Sequence, residues 1–296
     1  MKPIFRLFVG GISLAAFATA GCAAHHIDLT PDAAGKVKTV KLINVIPQAA
    51  LVPSIQPSGG ARTAAALGGM FGAIGGAIGG GIAGSIQEKQ YHQAELKLAA
   101  LVAPQKRIEI RQEFLDKLGQ AAEGSSRFVI QKAETVIEGN GAKERDQALE
   151  KMPEDGVLTV LTHYYLSPDF KVFNVVSQAE LWQKGTEKEI FLGQWQYHSA
   201  PRNGDGDEQI IAAWAANDGE ALIATAHEAI DKIAQMMKID LLGEAVDPGD
   251  LGTASGTYAR QADGAYMNFE GKVMARQAGW DIVRENDGTL HAAYVP

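Results

Sequence analysis

Between Gly68 and Gly84 the chain carries nine glycines, at positions 68, 69, 72, 75, 76, 79, 80, 81 and 84. Gly68, Gly72, Gly76, Gly80 and Gly84 recur every four residues, which makes four consecutive G-x-x-x-G steps. Ile74, Ile78, Ile82 and Ile86 keep the same period with an offset of two residues, about 200° around a helix. A helix over this window therefore has a smooth glycine stripe and an opposite isoleucine stripe. In water, nine glycines cost an isolated helix roughly 7 to 9 kcal/mol relative to alanine, so it needs an external reason to form. A bilayer supplies one, because backbone groups there must bond internally and small-xxx-small faces let helices approach closely. No residue from Thr63 to Gln87 is charged, a stretch long enough to span a bilayer at ~1.5 Å per residue. A flexible linker is the competing reading, but such linkers are rich in Ser rather than in Ile, Ala, Leu67 and Phe71. Gly79, Gly81 and Gly84 also match G-x-G-x-x-G, yet they follow no strand and no P-loop Lys accompanies them.

At the amino terminus, Lys2 and Arg6 precede an uncharged stretch from Leu7 to Ala18, followed by small residues up to Gly21. This is the pattern of a secretory signal and is short for a membrane span. The single Cys of the chain, Cys22, stands directly after Thr19-Ala20-Gly21, which resembles the lipobox of bacterial lipoproteins, with Thr19 where Leu is commonest. That resemblance implies cleavage between Gly21 and Cys22 and acylation of Cys22 by membrane lipid. Ala23 and Ala24, in place of an Asp after the Cys, imply export to the outer membrane of a Gram-negative bacterium, facing the periplasm. Several chains anchor stably, at ~0.8 kcal/mol per buried methylene, where one chain binds only reversibly. The glycine repeat itself is similar to the glycine-zipper segments of outer-membrane lipoproteins and envelope proteins.

One Cys excludes a disulfide framework and Cys-rich metal centres. The balance of 27 Lys+Arg against 35 Asp+Glu, net -8, argues against nucleic acid as a partner. Loss of residues 1–21 removes Lys2 and Arg6 and no acid, leaving 25 basic and 35 acidic side chains. With 46% hydrophobic residues in 296, the remainder has the composition of a globular body.

That body reads as α/β (α+β): a small sheet with a three-stranded antiparallel meander packed by helices, one Gly-rich membrane-type helix and a C-terminal β-hairpin. The segments are a signal peptide over 1–21, a lipid-anchored tether over 22–36, a strand and extended segment over 37–60, the glycine zipper over 61–87, an α/β domain over 88–243, a linker over 244–270 and the hairpin over 271–296. Alternation predicts a strand from Val37 to Ile46. Helices are expected over Glu88–Val102, Ile108–Ala122 and Lys143–Met152, with a short strand over Arg127–Gln131 between the last two. The meander comprises Val157–Leu166, Phe170–Gln183 and Glu189–His198, and Phe191, Trp195 and Tyr197 share a face directed to the core. Asp207 is read as the cap of a long helix with Leu222, Ile223, Ala226, Ile230, Ile233 and Met237 as its apolar stripe. Asn286-Asp287-Gly288 is a strong hairpin turn. This order of elements is similar to the α/β domains of the TolB amino-terminal and CsgG-type lipoprotein families.

No catalytic, cofactor or metal signature stands out. His25 and His26 are adjacent on the tether, and His92, His163, His198, His227 and His291 are scattered without ligand spacing. Gly204-Asp205-Gly206-Asp207-Glu208 lacks the length and distal Glu of a calcium loop. G-x-S-x-G is absent and no carboxylate dyad can be singled out. The reading is a non-enzymatic lipoprotein: Cys22 joins it to membrane lipid, the zipper packs in the bilayer or self-associates, and the body binds an envelope protein. The alternatives are a subunit of a secretion or export pore, and a periplasmic enzyme.

Overall fold

The computed structural model of the chain describes residues 26–48, 51–53, 92–94, 96–137, 141–186, 188–244, 251–259, 266–277 and 279–295. A short helix α1 (Pro31–Lys36) leads into β1 (Thr39–Val45) and a two-residue β2 (Val52–Pro53). A 3-10 turn at Leu98–Leu101 runs into α2 (Val102–Gln105), followed by α3 (Ile110–Ala122), β3 (Val129–Val136) and α4 (Ala142–Lys151). Then come β4 (Gly156–Leu166), β5 (Phe173–Gln183), β6 (Glu189–His198), α5 (Asp207–Asp240), β7 (Thr253–Ala259), β8 (Tyr266–Gln277), β9 (Trp280–Glu285) and β10 (Leu290–Tyr294).

All ten strands form one mixed sheet in the order β3-β1-β4-β5-β6-β10-β9-β8-β7, with β2 beside the end of β4. Strand β1 is parallel to both β3 and β4, the arrangement that helical crossovers through α3 and α4 impose. Every residue of β4 is buried, as befits a strand covered on both faces. The period of two sorts its side chains: Leu158 and Val160 join the large core under α3 and α5, while Val157 and Leu161 join Ile43, Val45 and Ala148 under α4. Phe191, Trp195 and Tyr197 of β6 are fully buried against α5.

The three-stranded meander is present as β4-β5-β6, and β9-β10 is the hairpin that the Asn-Asp-Gly turn predicts. Three expectations need correction. The sheet is not small: β10 adds in parallel to β6, so the carboxy-terminal hairpin extends the central sheet instead of closing the chain separately. Residues 244–270 are not wholly a linker, because β7 lies within them and pairs along its whole length with β8. Gly256 in this stretch has a packing cause, since a Cβ there would lie 2.5 Å from the Phe269 ring. Finally, Asp207 is the first residue of α5 and Gly206 holds the cap position. Helix α5 is also broken at Ala216–Gly219, where Asn217, Asp218 and Gly219 take positive φ.

Strands β7 and β8 curl back over the face of β6 that α5 leaves open. The rings of His198 on β6 and Tyr258 on β7 stack at 4.9 Å, although three strands separate them in the sheet order. Phe269, Val273 and Val283 form a third core inside this curl. The glycine-zipper window lies outside the described residues, and among the described residues no helix is long and apolar enough to cross a membrane.

Candidate functional site

Gly21, Cys22 and the repeat Gly68, Gly72, Gly76, Gly80 and Gly84 all lie outside the described residues. His26, four residues after Cys22, and Ile27 are seated on the body. Ile27 forms an antiparallel bridge with Leu192 of β6, its N–H donating to the Leu192 carbonyl at 2.9 Å and its carbonyl accepting at 3.1 Å.

His26 occupies a socket. Its ring meets the Phe191 ring edge-on with centroids 6.0 Å apart, and Nε2 lies 3.0 Å from Asp28 Oδ1 and 3.7 Å from Asp240 Oδ1. The Asp240 side chain, at the end of α5, has no exposure. Its Oδ2 accepts from Trp195 Nε1 at 2.9 Å and its Oδ1 pairs with Arg284 Nη1 at 2.8 Å. A buried carboxylate is tolerated when it is paired and bonded in this way. Two glycines make the room: a Cβ on Gly288 would fall 2.3 Å from the His26 ring, and one on Gly193 would fall 2.6 Å from Asp240 Oδ2. Gly288 belongs to the hairpin turn and has φ +92°, so turn chemistry and the socket demand glycine together.

Seating continues beyond the socket. Thr30 caps α1 through Ala33 N–H; Leu29, Ala34 and Val37 enter the core; and Arg127 Nη1 donates to the carbonyls of Leu241 at 2.9 Å and Leu29 at 3.4 Å. Residues 26–36, read from the sequence as part of a tether, are thus packed on the body.

Two of the scattered histidines meet on the other face of the sheet. Asn174 Nδ2 donates to the Val172 carbonyl, which leaves Oδ1 to accept from His198 Nδ1 at 2.9 Å. His198 Nε2 then accepts from His291 Nδ1 at 3.1 Å, and His291 Nε2 faces Glu285 Oε2 at 2.8 Å. Burial first, and the neighbouring His291 second, hold the His198 imidazole well below its ordinary pKa, so it stays neutral. The chain of bonds is complete when one proton is shared between His291 and Glu285. His163, on β4, is likewise pushed down to about 4 by burial.

Among the described residues no three His, Cys, Asp or Glu side chains converge to hold a metal ion. In the acidic loop before α5, Asp207 is engaged by Lys97 at 2.7 Å. Sequence reasoning missed Asp240, Arg284, His198 and His291. Nothing in their local patterns marks them, because Asp240 meets Trp195 across 45 residues of chain and His198 meets His291 across 93.

No family model and no curated protein matches the chain. Among solved structures it is similar to the hypothetical protein CT253 from Chlamydia trachomatis, with 7% identity and a TM-score of 0.29 over 69% of this chain and 99% of that one.

Proposed function

We propose that this protein is a non-enzymatic lipoprotein of the bacterial outer membrane, acylated at Cys22, whose body is held at short range from the bilayer to support a structural or protein-binding role. The observation that carries the reading is the seating of His26 and Ile27 on β6. Three residues lie between Cys22 and His26, so at ~3.6 Å for each of about four extended steps the chain allows their Cα atoms to be at most about 14 Å apart. A free segment as far as Val37 would instead reach on the order of 50 Å. A sole Cys at a signal boundary, followed almost at once by a built socket, suits an anchor that positions the body. The Gly68 to Gly84 stripe supplies close helix packing, in the same bilayer or between copies.

Labelled palmitate and membrane fractionation test the anchor. The native protein is expected to take up label and sediment with membranes, and Cys22→Ser to lose both properties. A Cys22→Ser protein that stays membrane-bound and is processed as before overturns the anchor. The zipper has a separate test: Gly76→Leu is expected to abolish any detergent-stable oligomer, and unchanged assembly favours a linker.

A further inference from the structure

A cleft of about 450 Å³ opens where the chain leaves β1, between α2, the start of α3 and the adjoining part of α5. Its size falls in the roughly 300–1,000 Å³ range of small-molecule sites. The walls are of two kinds. Leu51, Val102, Phe173 and Leu222 supply an apolar side. Arg111 also lines the cleft and is held with Nε donating to the Ile46 carbonyl at 3.1 Å and Nη2 to the Gln48 carbonyl at 2.7 Å. No described carboxylate pairs with Arg111, so a fixed guanidinium faces the cleft with Nη1 unspent.

Neighbouring polar groups are immobilised around it. Gln105 accepts from Leu51 N–H at 2.8 Å and donates to the Tyr164 hydroxyl at 3.2 Å, while Gln48 exchanges two bonds with the Tyr164 backbone at 2.7 and 2.8 Å. The Tyr164 hydroxyl hydrogen therefore has no described acceptor. Burial raises the Tyr164 pKa, and the Gln105 hydrogen bond and then the Arg111 charge oppose the rise. Thr135 Oγ1, on the same wall, is buried and without a hydrogen-bond partner among the described residues. Unpartnered polar atoms beside a cation with no described counter-charge, in a cleft that also has apolar lining, describe a site whose complement is absent among the described residues.

We infer that this cleft binds a single-chain amphiphile with a carboxylate head, the head on Arg111 and the Tyr164 hydroxyl and the chain along Leu51, Val102, Phe173 and Leu222. Lys106 and Glu109 also line the cleft and offset each other, which leaves the fixed Arg111 guanidinium as the net charge and favours a single negative head over a phosphate dianion. This site is independent of the lipid on Cys22, so it is tested on the whole chain carrying Cys22→Ser, without detergent.

The probe is cis-parinaric acid, a fluorescent fatty acid. Saturable one-site binding is expected, displaced by palmitate and not by methyl palmitate, and weakened at least tenfold by Arg111→Met. Since Arg111 also braces the chain after β1, Leu222→Trp, which fills the cleft and leaves Arg111 in place, is the second variant; the same loss is expected, with urea unfolding showing both variants folded. Absence of saturable binding, indifference to Leu222→Trp, or equal displacement by methyl palmitate overturns the site. Displacement by lysophosphatidylglycerol and not by palmitate overturns the carboxylate assignment.

Discussion

Asp240 and Arg111 are both charged groups set against apolar surroundings, and they differ in what answers the charge. Asp240 accepts a hydrogen bond from Trp195 through Oδ2, and its Oδ1, which has no hydrogen-bond partner among the described residues, is ion-paired with Arg284 and approached by His26, so its charge is countered within the fold. Among the described residues Arg111 is met by two carbonyls and no carboxylate, and it borders a cavity, so its charge is left available there. A buried ion with all its partners present serves the fold, whereas a fixed ion without a counter-charge is available for binding. The same distinction separates the socket from the cleft: one concavity is filled by the chain's own imidazole, and the other has no occupant among the described residues.

The largest effect should come from removing the spent charge. Asp240→Ala leaves the buried Trp195 N–H and the partly buried Arg284 without their acceptor, and a loss of about 3–5 kcal/mol in urea unfolding is expected. A loss below ~1 kcal/mol would place Asp240 with Arg111 rather than against it.

Buried neutral groups supply the next test. His163 has its folded-state pKa depressed from 6.5 to about 4, so the unfolded chain binds the extra proton between those values. Stability attached to this group is present in full above pH 6.5 and is withdrawn as pH falls toward 4, by roughly 3 kcal/mol in total. His198, lowered in the same direction, adds to the decline. His163→Leu is expected to flatten the fall of unfolding free energy over that window, and an unchanged slope would refute the assignment to His163.

Crowding the filled concavity is a smaller perturbation. Gly288→Val drives a side chain into the His26 ring, and about 1–3 kcal/mol should be lost, with faster hydrogen exchange at the Ile27 and Leu192 amides. In a His26→Ala background the steric part should vanish and the strain of a positive φ should remain; an identical cost in both backgrounds would mean that His26 does not occupy the socket. Arg111→Met stands last. Its two carbonyl bonds make a loss of about 1–2 kcal/mol, distinctly less than that of Asp240→Ala, and equal losses would erase the contrast between the two sites.

Legibility in the sequence followed the range of the forces. The meander could be read because β4, β5 and β6 are joined by short turns and carry side chains of period two. The tripeptide Asn-Asp-Gly occurs twice, at 217–219 and 286–288. Flanked by strand-like residues at 286–288 it announces a hairpin; inside an apolar helical pattern at 217–219 it was passed over, yet it breaks α5 there. A Cβ on Gly219 would lie 2.2 Å from Pro104, so α2 packs where the break makes room. Strand β7 was hidden because Ala, Gly and Ser dominate Thr253–Ala259, and its glycine answers to the ring of Phe269 across the strand pair. None of the socket was legible, since His26, Phe191, Trp195, Asp240, Arg284 and Gly288 come from five separate parts of the chain.

By itself the sequence determined the local matters: the signal-like start ending at one Cys, the four-residue glycine period, the meander and its hairpin turns, because these are written in neighbours a few residues apart. Only the tertiary structure decided that β10 joins β6 in parallel, that β7 and β8 fold over His198, that residues 26–36 are seated, and which charges are spent and which are free. Those outcomes depend on groups brought together from distant positions, where burial and pairing are properties of the assembled sheet and of no segment alone.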